Sequence, residues 1–290
     1  MKKILSLIIL ACALLLSAGC LTADTPGAEE VGVRLITPPE GFAIFGGQGT
    51  YTGIIGAETP EIPANYSMGR VAIPAGNATS PHRLIGSTEF VHVIAGAAEI
   101  RCDNSTVVAG EGETVLLPEG VLQSIAAAGD RELRYIDAIS PPFAAASEVS
   151  GEGLAALTVT TACVPVVIPD PREGIEWDLG SEMMIYTLAN SVLMDEIGFP
   201  LPYSVAYGEL LPGGSIGYNR LNGSSEVIVV LGGEVEVFTP DARSVRVPAG
   251  SAAYVPPGQV KGYRNVAASN ATLLSFVDPA WTPEGTAMLE

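Results

Sequence analysis

A stretch of this chain is written twice, and the repeat fixes what it can fold into. His82 to Ile100 reads HRLIGSTEFVHVIAGAAEI and Asn219 to Val237 reads NRLNGSSEVIVVLGGEVEV. The match extends outward: Pro74-Ala75-Gly76 answers Pro212-Gly213-Gly214, Leu117 to Gly120 answers Val255 to Gly258, and Ile139 to Phe143 answers Val277 to Trp281. A spacing near 138 residues, as between Gly120 and Gly258, is too long for a solenoid unit and suits a whole domain copied after itself.

Each copy reads as short strands. The chain holds 33 glycines and 22 prolines set between Val/Ile/Leu runs, which punctuates it into turns and strands with little helix. The best helical windows beyond the leader, Ser181 to Asn190 and the end from Pro283, lack a cap joined to an apolar stripe. The densest runs, Glu89 to Gly96 and Glu226 to Gly233, predict strands buried on both faces, each ended by its glycine and followed by a hairpin partner, Ala97 to Cys102 or Glu234 to Thr239. Alternation places Glu89, Val91 and Val93 on one face and Phe90, His92 and Ile94 on the other. Short antiparallel strands without helical interludes imply an all-β sandwich or jelly roll.

The ends carry a different message. Lys2 and Lys3, an apolar run from Ile4 to Leu16 and small residues before Cys20 read as a signal segment over 1–19. Ser17-Ala18-Gly19-Cys20 resembles a prokaryotic lipoprotein box, which would make Cys20 the acylated first residue. The stretch 20–35 then reads as an acidic tether, with domains at 36–150 and 151–290. Location is expected to be extracytoplasmic, lipid-anchored or secreted. Loss of Lys2 and Lys3 leaves 12 basic against 32 acidic residues, a net charge near −20 that argues against nucleic acid and against anionic lipid except through the anchor. Asn65, Asn77, Asn104, Asn222 and Asn270, five of eight asparagines, open Asn-x-Ser/Thr triplets and are glycosylation candidates on exposed loops. Cys102 and Cys163 are left to pair or to stay apart in an oxidising exterior.

Within each repeat the residues resemble the cupins, two units making a bicupin of tandem double-stranded β-helix barrels. The family's first motif runs through a glycine, two histidines one residue apart, a glutamate and a second glycine; here it stands as Gly69, His82-Arg83-Leu84, Glu89 and Gly96. The second motif stands as Gly112, Pro118, Gly120 and Gln123. The other copy has Asn219-Arg220-Leu221, Glu226, Gly233, Gly250, Pro256, Gly258 and Lys261. A cupin metal centre takes three imidazoles and the glutamate, a set suited to Mn, Fe, Ni or Zn. By that resemblance the first domain keeps His82 and Glu89, with Gln123 as a weak neutral oxygen, one ligand short of the usual three-ligand catalytic site plus open position. The second keeps only Glu226, which either pairs with Lys261 or reaches water separately.

The expected function is therefore a non-catalytic, cell-surface binding or accessory protein, monomeric, taking a small polar ligand through His82, Arg83, Glu89, Gln123, Asn219, Glu226 and Lys261. No cofactor is expected beyond a weakly held divalent ion in the first domain. The alternative is a metal-dependent cupin enzyme, an oxidoreductase, isomerase or decarboxylase, working through that domain alone. A structural spacer is the third reading.

Overall fold

In the computed structural model the described residues are 32–156, 165–178 and 182–289. The expected signal segment, Cys20, most of the expected tether and Cys163 lie outside them. Cys102 is buried and disulfide-bonded.

The all-β expectation holds. Each half is a sandwich of a seven-stranded and a five-stranded antiparallel sheet with jelly-roll order, and the hydrogen bonding of one sheet does not run on into the other. In the first half the large sheet runs Val166–Ile168, Thr114–Leu117, Thr88–Ala95, Leu133–Ser140, Ser67–Ile73, Gly49–Ile55, Phe42–Ile44. The small sheet runs Glu148–Ser150, His82–Leu84, Gln123–Ala127, Ala97–Cys102, Ser105–Gly110. The second half repeats both orders strand for strand.

One pairing differs from the sequence reading. Thr88–Ala95 and Ala97–Cys102 do not form a hairpin: the first pairs with Leu133–Ser140 and Thr114–Leu117 in the large sheet, the second with Gln123–Ala127 and Ser105–Gly110 in the small one. Gly96 carries the chain from sheet to sheet at φ 76°, and a Cβ there would stand 2.5 Å from the Glu132 carbonyl oxygen, so only glycine turns this corner. The window after Ser181 is strand, Met183–Ala189, because its apolar residues serve a two-faced sheet.

The boundary between 150 and 151 divides the sequence but not the sheets. Arg34–Ile36, which begins inside the expected tether, joins the second half's large sheet beside Ala252–Val255, and Val166–Ile168 joins the first half's beside Thr114–Leu117. Each half thus lends the other an edge strand, which covers backbone groups that would otherwise stand unpaired.

Alternation builds the core as expected. Val91 and Val93 point into the first sandwich with Val71, Ile100, Val115 and Tyr135. Phe90 points the other way, into an apolar layer shared by the halves, where it meets Val227, Val229, Leu274 and Phe276.

His92 faces this shared layer, 1% exposed, its Nδ1 2.9 Å from Thr114 Oγ1 and its ring 6.4 Å from that of Tyr207 in the other half. Desolvation pushes its pKa down to about 4 from 6.5. A histidine depressed on folding gives stability that is complete above the unfolded pKa and is lost as pH falls toward the folded one. From pH 7 to pH 5 it should cost about 2 kcal/mol, at 1.36 kcal/mol per pKa unit. Urea unfolding of wild type and His92→Gln at the two pH values should show this acid loss in the wild type only; an equal loss in both would assign it elsewhere.

Candidate functional site

The duplication lets one solution be read against the other. In the first half His82 enters from the small sheet, 5% exposed. Its Nδ1 lies 2.9 Å from the Ser80 carbonyl, which can only accept, so Nδ1 carries a proton and Nε2 faces Gln123. Gln123, the strand partner of His82, places its Nε2 3.2 Å from that nitrogen and donates as well to Glu89 Oε2. The amide bridges imidazole and carboxylate.

A fourth group stands here that the motif comparison passes over. Asp137 lies on the inner face of Leu133–Ser140, between Tyr135 and Ile139, where alternation in LRYIDAIS puts it beside Glu89. The two carboxyls are hydrogen-bonded, and Asp137 Oδ1 is buried without a partner. Burial first, then the Glu89 charge, drives the Asp137 pKa well above the carboxylate range. Burial likewise raises Glu89, against opposing pulls from His82, Asp137 and Gln123. Such a pair retains a proton at pH values where ordinary carboxyls have lost theirs.

In the second half the equivalent position is Ser275. Its Oγ donates to Glu226 Oε1 at 2.5 Å, while Tyr263 Oη donates to Oε2 at 2.5 Å. Lys261 Nζ stands 3.3 Å from Glu226 Oε2 and donates to Asn219 Oδ1. Asn219, Glu226 and Lys261 are all buried, so the Lys261–Glu226 pair forms away from water. This half contains its own cation, and that cation is an ammonium.

The space left over differs accordingly. The first cavity measures about 900 Å³ and is lined by His82, Glu89 and Asp137 at its polar end. The second, bounded by Asn219, Glu226, Lys261, Trp177 and Trp281, measures about 130 Å³.

Arg83 does not line either cavity. Alternation turns it away from His82 and Leu84, and its Nη1 donates to the Gly120 carbonyl at 2.6 Å and lies 3.5 Å from Asp103. It braces a loop instead of reaching a ligand. Arg220 is similarly occupied with Asn222 at 3.0 Å.

Of the glycosylation candidates, Asn65, Asn104, Asn222 and Asn270 are exposed and Asn77 is half-buried. Asn65 commits its backbone N–H and its amide to the Asp278 carboxylate, at 2.7 and 2.9 Å, which ties the two halves and leaves that amide engaged.

A cupin-domain family model matches residues 69–139 and again 206–277. The chain carries two cupin domains. Similar solved structures include a glutamate-to-alanine variant of oxalate decarboxylase from Bacillus subtilis, with 14% identity and a TM-score of 0.69 over 89% of this chain and 79% of that one. A tryptophan-to-phenylalanine variant of that enzyme gives 15%, 0.68 and the same coverage. The likeness is one of fold, a bicupin. None of the curated proteins matches the sequence. Among the described residues of both cupin domains, no three His, Cys, Asp or Glu side chains are arranged to hold a metal ion.

Proposed function

We propose that the first cupin domain is the working one, in a metal-dependent cupin enzyme of the oxidoreductase, isomerase or decarboxylase kind, and that the second is a filled scaffold. One observation carries this: Asp137 sets a second buried carboxyl against Glu89, with one oxygen unbonded, and among the described residues neither lysine nor arginine lines that cavity. The second domain meets a single glutamate with Lys261. Two carboxylates buried side by side need a proton or an added cation.

Were the Gln123 amide turned end for end to present its oxygen, that oxygen, His82 Nε2 and one or both carboxylates would be the donors for a divalent ion. When bound, such an ion would act as a Lewis acid toward an oxygen or nitrogen of the guest molecule. The residues do the rest. Ser80 holds the His82 tautomer, and Asp137 Oδ1 is the carboxyl atom free to take or give a proton at the cavity. The bicupin fold shared with oxalate decarboxylase supports an enzyme, while at such identity it names no substrate.

The non-catalytic reading, a binding or accessory protein for a small molecule, keeps one observation in its favour. Gln123 stands between His82 and Glu89, so three ligands do not converge in this arrangement. Manganese binding separates the two. Metal-stripped protein should take up one equivalent of Mn²⁺, and Asp137→Asn should weaken it about tenfold or more; no uptake would leave only the non-catalytic reading.

A pH effect follows from the same pair. Carboxyls raised on folding give stability that is complete below their unfolded pKa, about 4, and is lost as pH rises through the folded value. Metal-free wild type should therefore weaken from the acid range upward at this site, and Asp137→Asn should flatten that slope in urea unfolding against pH. An unchanged slope would mean the pair does not share a proton.

The exported, lipid-anchored setting is part of the proposal and rests on Lys2, Lys3, the apolar run and Cys20. Membrane fractionation of Cys20→Ala tests it, with release expected and retention overturning it. A monomer that avoids nucleic acid fits the acid-rich surface.

A further inference from the structure

The first cavity selects its guest by charge and by bulk. Among the described residues the acidic side chains lining it are Glu58, Glu89, Asp137 and Glu148, and neither lysine nor arginine lines it. Glu148 faces in because its strand pairs with His82–Leu84 in a register that opposes it to Leu84, itself a lining residue. Tyr51 lies against Gly69, where a Cβ would collide with its ring, and so reaches across the strand opposite Asp137. Phe45, Tyr66 and Phe143 add further aromatic wall, with Phe45 centred 5.1 Å from the His82 ring.

We infer that this cavity takes a molecule with an apolar, ring-bearing body and a positively charged nitrogen, and that it turns away small dicarboxylates. The inference rests on the first domain being the working one, but not on a metal. With a divalent ion on the Glu89–Asp137 pair, Glu58 and Glu148 still leave the walls negative. Without one, Asp137 Oδ1 stays without a partner, nine-tenths buried and open to a donor, and Glu58 and Glu148 still face the cavity. Either way an anionic guest meets repulsion in a cavity of low polarity and an ammonium meets attraction, reinforced by aromatic faces. The volume, about 900 Å³, accommodates a fused-ring body and would leave a two-carbon diacid mostly surrounded by water.

Three probes with one skeleton test this by calorimetry on the whole chain, both metal-stripped and loaded with Mn²⁺: tryptamine, tryptophol and indole-3-propionate. Tryptamine should bind about tenfold or more tighter than the propionate, a difference of about 1.4 kcal/mol or more, with tryptophol between them. The preference should shrink in Glu58→Gln/Glu148→Gln, where both replaced side chains lie outside the proposed ion ligands and Glu58 is exposed. Equal binding of all three, tighter binding of the propionate, or no binding of tryptamine would overturn the inference. If the Mn²⁺ titration fails while the amine preference holds, the enzyme reading falls and the ligand class stands.

Discussion

Lys261→Ala should cost about 3–5 kcal/mol of folding stability, because removing one partner of a buried ion pair strands the other charge away from water. Lys261 is 1% exposed and Glu226 7% exposed, and Nζ is the cationic group against that carboxylate. Tyr263 and Ser275 keep donating to Glu226, which holds the loss toward the lower end of that range. Urea unfolding measures it. Adding Glu226→Gln to Lys261→Met should recover most of the stability, since a neutral amide and an apolar stem leave no bare charge. A loss below about 1 kcal/mol in Lys261→Ala would mean the pair behaves as an exposed one, and the picture of an enclosed internal cation would be wrong.

Phe276→Ala should be comparably severe, at about 3–5 kcal/mol for emptying a large aromatic site in a packed core. Phe276 is fully buried, and its ring lies 5.5 Å from that of Tyr66, 5.4 Å from that of Phe90 and 5.8 Å from that of Tyr203. Tyr66 and Phe90 come from the first domain, so the cavity opens in the layer both domains share. With the exchanged edge strands, that layer should make the pair unfold as one unit. Calorimetry of the variant should show one transition at a lower midpoint. Two separated transitions, one of them unmoved, would show that the domains keep independent cores.

The fold was legible because it rests on short-range rules that two copies state twice. Strand faces follow from alternation at Glu89, Val91 and Val93, and corners from glycines such as Gly96, where only a residue without a side chain clears the Glu132 carbonyl. The exchange of Arg34–Ile36 and Val166–Ile168 was not legible, since three residues carry no period and their partners are set by where the chain ends up. The site was half legible. His82, Glu89, Gln123, Asn219, Glu226 and Lys261 could be placed through motif spacing, and the structure gathers each set of three. Arg83 adjoins His82 in sequence but not in the cavity, because alternation points it to Gly120 and Asp103. Asp137 was missed although it left a signal: an acid at an inward position of an apolar strand, answered in the other copy by Ser275.

The central claim is that the two domains meet the same electrostatic problem differently, one with a lysine and the other with a cation taken from solution. Gln123→Lys transplants the second domain's solution into the first, setting an ammonium where the Gln123 amide now touches His82 and Glu89. The most direct test is the thermal midpoint of metal-stripped protein with and without Mn²⁺, in wild type and in Gln123→Lys. The account predicts that Mn²⁺ raises the wild-type midpoint by binding the folded state alone, and that the variant stands as high without the ion and does not respond to it. A wild type indifferent to divalent ions, or a variant that still gains from them, would contradict it.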